Sequence, residues 1–184
     1  MPKPWIVRGS ETLLSTRIFD LDSEQCESPR TGAVHDFYVL RGPDWCNIIP
    51  ITDGGDVVMI RQYRYGSREI TLEVPGGMVD ATDASPLEAA RRELLEETGY
   101  AARAIEPIGS IRPNPAIQSN TCHSFVARGA HLVAPPHFDS TEDIDVVLVP
   151  LAEIPARVAR GEITHCLVVV AYAYLLGLAP PPAP

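Results

Sequence analysis

The stretch VPGGMVDATDASPLEAARRELLEETGY, Val74 to Tyr100, decides the fold. It opens on a double glycine and gathers Glu93, Glu96 and Glu97 within five residues at its far end. Ser85 followed by Pro86 and Glu88 has the chemistry of a capped helix start, and Gly99 that of a stop, so the spacing predicts a helix over 86–98. At about 100° per residue, Leu87, Leu94, Leu95 and Thr98 gather on one side of that helix. The three glutamates fall within an arc of roughly 100° on another side. Like charges one turn apart repel, and acids near a helix C-terminus oppose the macrodipole. Two readings follow. The glutamates form a solvated face balanced by Arg91 and Arg92, or they hold a hard divalent cation with help from the backbone at Gly76-Gly77, where the lack of side chains permits close approach.

The pattern resembles the Nudix box. Gly77 stands at its start and Arg92-Glu93-Leu94-Leu95-Glu96-Glu97-Thr98-Gly99-Tyr100 at its end, the end segment matching nearly throughout. One departure concerns the upstream acid. Gly77 is followed by MVDAT and Asp83, then eight residues before Arg92, one more than the family's spacing. Either Asp83 stands in for that acid across a longer loop, or Ala84 occupies its place. The resemblance implies magnesium, with manganese as a substitute, held by Glu93, Glu97 and the Gly76 carbonyl. It also implies that Glu96 ligates a further ion or positions water. Arg92 is expected to orient the glutamates rather than touch substrate.

Outside the box, three features resemble the branch that cleaves ADP-ribose and other nucleoside diphosphate sugars. Pro115 lies fifteen residues beyond Tyr100, where that branch has a proline, although two prolines shaping an ordinary loop would look the same. Arg64, in VVMIRQYRYG, aligns with an arginine that binds substrate phosphate; the alternative is a surface cation. Glu142, in DSTEDI, matches the second acid of a Glu-x-Glu-Asp-Ile loop and is a candidate metal ligand or general base, while Ser140 replaces the first. The candidate catalytic set is therefore Glu142, Glu96 and Glu97, the substrate-binding set Arg64 and Pro115, and the metal set Gly76, Glu93, Glu96 and Glu97. The implied reaction is hydrolysis of the ADP-ribose pyrophosphate bond to AMP and ribose 5-phosphate, with other nucleoside diphosphate sugars as further substrates. The rivals are a GDP-mannose or broad nucleotide-sugar pyrophosphatase and a non-catalytic ADP-ribose sensor.

The rest of the chain reads as strands interleaved with helices, which predicts an α/β fold. By resemblance this is an α/β/α sandwich around a mixed sheet with a β-rich N-terminal subdomain. The expected division is a dimerising subdomain over 1–45, the Nudix domain over 46–178, and a disordered tail over 179–184. CNIIPIT, DGGD and VVMIRQYRYG predict a hairpin, EITLEVPGG a strand broken by Pro75, and LAEIPARVARGE and THCLVVVAYAYLLG two closing helices. Tyr63 and Tyr65 flank Arg64 and suit packing or an interface more than base stacking. His123 and His165 stand alone, without metal-ligand spacing.

Composition excludes several classes. A net charge of −9 leaves no cationic grip for nucleic acid. The longest apolar run, 166–179, is too short to cross a bilayer, and the N-terminus has no signal-peptide core, so a soluble cytoplasmic protein is expected, and the family resemblance implies a homodimer. The scattered Cys26, Cys46, Cys122 and Cys166 form no Cys-x-x-Cys pair, which suggests reduced thiols.

Overall fold

The computed structural model describes residues 1–138 and 143–178. It separates into two compact units, one of residues 1–43 with 112–121, the other of 44–111 with the chain from 122 onward.

The first unit is an antiparallel sheet of β1 (Ile6–Ser15), β2 (Asp20–Glu27) and β3 (Val34–Arg41), in that order. TLLSTRIFDLDSE is two strands, because Thr16 turns the chain: its hydroxyl accepts from the Phe19 amide at 3.0 Å and donates to the Phe19 carbonyl at 2.7 Å. Asp22 is fully buried, paired with Arg41 and accepting from the Thr12 hydroxyl at 2.8 Å. Residues 112–121 cluster by contact with this sheet, where Leu40 donates to the Ile117 carbonyl at 2.7 Å and accepts from the Ser119 amide at 3.1 Å. Trp5, Ile6, Val7, Leu13, Leu14, Val34, Phe37 and Tyr38 leave the sheet with much apolar surface exposed within the single chain.

The second unit is built on β4 (Trp45–Thr52), β5 (Asp56–Arg64), β6 (Glu69–Glu73), β7 (Gly76–Met78), β8 (Tyr100–Ala101), β9 (Ala104–Ile111), β10 (Cys122–Leu132) and β11 (Ile144–Pro150). The main path runs β11-β5-β4-β10-β8, with β6 on β5, β7 on β4 and β9 on β10. β4 and β10 run parallel and every other pair antiparallel, so the sheet is mixed. The expected hairpin is β4–β5, closed at Ile51 opposite Val57.

Side chains alternate across β4, and that alternation builds the sandwich. Cys46 and Ile48 pack with Phe125 and Ala127 under α1 (Pro86–Thr98), against Ala89, Ala90 and Leu94. Ile49, on the opposite face, joins Val57, Met59, Leu72 and Val149 beneath α3 (Cys166–Ala173), which contributes Val168, Ala171 and Tyr172. The first closing helix is shorter than its sequence suggests: a single 3-10 turn at Leu151–Glu153 leads into α2 (Ile154–Ala159). Among the described residues no helix is long and apolar enough to cross a membrane. The cysteines are free, with Cys26, Cys46 and Cys122 buried and Cys166 exposed. The expected tail, 179–184, lies outside the described residues.

Candidate active site

The helix that carries the glutamates is capped as its sequence requires. The Ser85 hydroxyl accepts from the Glu88 amide at 3.3 Å, Pro86 opens the first turn, and Gly99 closes the helix at φ 73°, a left-handed conformation costly for any residue with a β-carbon. Its orientation differs from the expectation drawn from the leucines. Leu95 is 43% exposed, whereas Glu93 and Glu97 are 9% and 2% exposed, so the solvated-face reading fails for this pair. The buried stripe is Ala89, Ala90, Glu93, Leu94, Glu97 and Thr98. Small alanines bring the helix close to the sheet, and the two carboxylates one turn apart are carried in with it. Glu96 stays outside, its side chain 45% exposed.

The double glycine receives those carboxylates. Glu97 accepts a hydrogen bond from the Gly76 amide at 2.9 Å. A β-carbon on Gly77 would land on the Glu93 carboxylate, and one on Gly76 would strike the Cys46 carbonyl and the Asn47 backbone on the neighbouring strand. Both glycines therefore serve close approach. Gly77 admits the acid, and Gly76 lets β7 pair with β4 opposite Asn47.

Arg92 ties the acidic cluster together. It donates to Glu93 at 2.8 Å, to Glu96 at 3.0 Å, to the Met78 carbonyl at 3.1 Å and to both oxygens of Asp83 at 3.1 and 2.9 Å. Asp83, not Ala84, thus faces the box arginine, and the longer loop is pinned by the Asp80 amide donating to Asp83 at 2.9 Å. The Arg92 bonds hold the Asp83 carboxyl below its usual range, and Asp83 in turn raises Arg92.

Arg64 lies at the end of β5 and bonds bidentately to Glu73 of β6, through Nε at 2.8 Å and Nη2 at 2.5 Å. Glu73 is 2% exposed and also accepts from the Thr71 hydroxyl. Burial alone would raise the Glu73 carboxyl, but the Arg64 and Thr71 bonds and the Arg64 charge outweigh it, so it is lowered. Arg64 and His165 line two cavities. The one of about 270 Å³ also touches Trp45, Asn47, Glu73, Gly76 and Gly77. The one of about 730 Å³ touches Gln62, Tyr63, Tyr65, Thr71 and Asp143. Burial lowers His165, which therefore favours the neutral imidazole. Tyr63 and Tyr65 meet edge to face with centroids 5.3 Å apart and remain largely exposed.

One unit thus brings together Gly76, Glu93, Glu96, Glu97 and Arg64. Pro115 belongs to the other unit, and Glu142 lies outside the described residues. The sequence reading missed Glu73 and Thr71. Their signal was present: an acid one residue from the end of the otherwise apolar and β-branched ITLEV run, two residues before the proline that leads into the glycines. Among the described residues no three acidic, histidine or cysteine side chains converge as a finished cation cage. The donors present are nonetheless hard oxygens, and the space a Gly77 β-carbon would fill holds one of them, so the site suits a hard divalent ion completed by backbone, water or ligand oxygens.

The chain is 30% identical over 178 residues to the ADP-ribose pyrophosphatase of Mycobacterium tuberculosis (strain ATCC 25618 / H37Rv), covering 94% of this chain and 86% of the relative. It is 26% identical over 168 residues to the ADP-ribose pyrophosphatase of Bacillus subtilis (strain 168), covering 91% and 90%. A crystal structure of an ADP compounds hydrolase superposes with a TM-score of 0.84 at 24% identity, covering 97% of this chain and 95% of that one, which shows the shared fold. The NUDIX domain model matches residues 45–165, which span the glycine strand, the glutamate helix and Arg64 alike, and the chain is a member of the Nudix hydrolase family.

Proposed function

We propose that the protein is a magnesium-dependent pyrophosphatase that hydrolyses ADP-ribose to AMP and ribose 5-phosphate and accepts other nucleoside diphosphate sugars. The observation that carries this reading is the burial of Glu93 and Glu97 against Gly76-Gly77, in the unit where Arg64 lines the adjoining cavity. Two buried acids on one helical face are costly unless a cation is near. Arg92 supplies part of that charge, and a bound divalent ion would supply the rest. Relatives named ADP-ribose pyrophosphatase support the choice of substrate.

Glu93, Glu97 and the Gly76 carbonyl would hold the ion, and Glu96 a further ion or a water. Magnesium there would offset phosphate charge and lower the pKa of a water. Arg64 donates to the diphosphate oxygens, and Arg92 holds the glutamate side chains in place. Glu142 is the proposed base, taking a proton from the attacking water, or else a metal ligand, and Pro115 belongs to the proposed substrate-binding set. We propose further that the exposed apolar sheet of the first unit pairs with a second copy to form a homodimer, and that the enzyme works in the cytoplasm.

The test is release of AMP from ADP-ribose with magnesium or manganese, beside a panel of other nucleotide sugars and with Glu97→Gln as control. The expected outcome is metal-dependent AMP release, with Glu97→Gln losing most turnover while keeping its fold. No cleavage of any nucleoside diphosphate sugar, or a tenfold preference for GDP-mannose, would overturn the assignment.

A further inference from the structure

An exposed arginine at the end of a strand would ordinarily be ordered only when its ligand arrives, at a cost in side-chain entropy. Arg64 is fixed beforehand. Both bonds to Glu73 use one edge of the guanidinium, Nε and Nη2, and leave the Nη1 protons and the outer Nη2 proton for another acceptor. The Arg64 side chain is 40% exposed and lines both cavities, whereas the Glu73 side chain is 2% exposed. Glu73 is fixed in turn. The Thr71 hydroxyl, itself within 3.2 Å of the Gln62 carbonyl across the β5–β6 ladder, donates to the same Glu73 oxygen that receives Nε.

We propose that Glu73, anchored by Thr71, is the positioning residue that presents the outer edge of the Arg64 guanidinium to the substrate diphosphate; this rests on the reading of Arg64 given above. A buried ion pair is poor currency for stability alone, since well-packed apolar residues of similar volume serve as well or better. A carboxylate earns its place here by direction. Its planar fork matches the guanidinium plane and fixes the rotation of the donors that face the cavities. The pair has little net charge, so the site selects through oriented N–H groups rather than through a diffuse positive field.

The experiment is a double-mutant cycle on the full chain: wild type, Glu73→Gln, Arg64→Ala and the double variant, with Glu73→Asp as the conservative substitution. Steady-state kinetics with ADP-ribose and magnesium are read beside calorimetric binding of ADP-ribose without metal, and melting curves check the fold. Glu73→Gln should lower kcat/KM about tenfold to a hundredfold, the scale expected when a positioned group is misplaced by about an ångström. Glu73→Asp should recover part of that loss. In the Arg64→Ala background, Glu73→Gln should cost no further activity and should raise Tm, because it removes a buried carboxylate that has lost its partner. An equal loss on both backgrounds, or activity that simply follows Tm, would reduce Glu73 to a structural role and overturn the proposal. Full activity and binding in Arg64→Ala would refute the role of Arg64 and the proposal with it. A wild type that binds ADP-ribose but cleaves nothing would refute the proposed reaction alone, and the binding cycle would still decide the role of Glu73.

Discussion

Replacing Arg92 by alanine tests the account of the glutamate helix most directly. Arg92 bonds to Asp83, Glu93, Glu96 and the Met78 carbonyl, and its side chain is 28% exposed. Its loss leaves Asp83 and Glu93, with side chains 8% and 12% exposed, facing one another without the intervening cation. Breaking a fully buried pair from one side costs about 3–5 kcal/mol. Glu96 at 45% exposure is solvated and adds little, and Arg92 itself retains some solvent, so about 3 kcal/mol is the expected loss. For a chain of this size that is a fall in Tm of about 6–12 °C. Thermal unfolding followed by circular dichroism, in chelator and then in excess magnesium, measures it. Magnesium should raise the Tm of Arg92→Ala more than that of the wild type, because the ion replaces charge the variant has lost. Arg92→Lys should recover only part of the stability, since one ammonium cannot reach partners spread around a planar fork. A fall below about 2 °C, against the 6–12 °C reckoned from these bonds, would mean that the cluster relaxes into water and that the burial of Glu93 does not depend on Arg92.

Gly77→Ala should destabilise by about 1–3 kcal/mol and lower activity, because the new methyl occupies the place of the Glu93 carboxylate. Adding Glu93→Asp, one methylene shorter, should restore part of the stability though not the activity; a fully stable and active Gly77→Ala would refute the contact. The pH dependence of stability has a definite sign. The Glu73 carboxyl is held low by Arg64 against its own burial, and the Asp83 carboxyl by Arg92, so both stabilise fully above the ordinary carboxylate values of 4.5 and 3.8. That stabilisation is lost as pH falls through their depressed folded-state values. Melting curves taken from about pH 6 down to about pH 3 should therefore flatten in Glu73→Gln; an unchanged slope would show that Glu73 carries no pairing energy.

Much of this was legible before any coordinates. Ser85, Pro86 and Gly99 mark the ends of α1 because capping is local chemistry, decided by residues adjacent in sequence. CNIIPIT, DGGD and VVMIRQYRYG likewise mark the β4–β5 hairpin, since its turn is local chemistry too. What could not be read was which stripe of α1 is buried. Leu95 and Glu97 compete for the inner face, and apolarity favours the leucine. The answer depends on Gly76 and Gly77, which bring an amide and the space left by a missing β-carbon to that face from a strand about twenty residues earlier in the chain. Asp83 was ambiguous for the same reason, since only the Arg92 side chain reaching back across the loop separates it from Ala84. The pairing of Arg64 with Glu73 needed the β5–β6 register, Arg64 opposite Glu69 and Ile60 opposite Glu73, which no periodicity reveals.

Repulsion on the glutamate helix is thus resolved in two stages of different kind. Asp83 and Arg92 work within the folded chain: the arginine cancels part of the acidic charge, and the aspartate keeps the arginine from surrendering wholly to the glutamates. A single guanidinium is shared among Asp83, Glu93 and Glu96. Full internal neutralisation would make a more stable helix with no appetite for a cation. On the proposed function, the burial of Glu93 and Glu97 one turn apart on the same helix face is what would draw an ion from outside. The Arg64–Glu73 pair follows the opposite rule. It is matched one to one, so its remaining donors are committed to direction rather than to charge. On the proposed function both are needed, a pair of buried acids to retain a cation and an oriented arginine to hold the anion still.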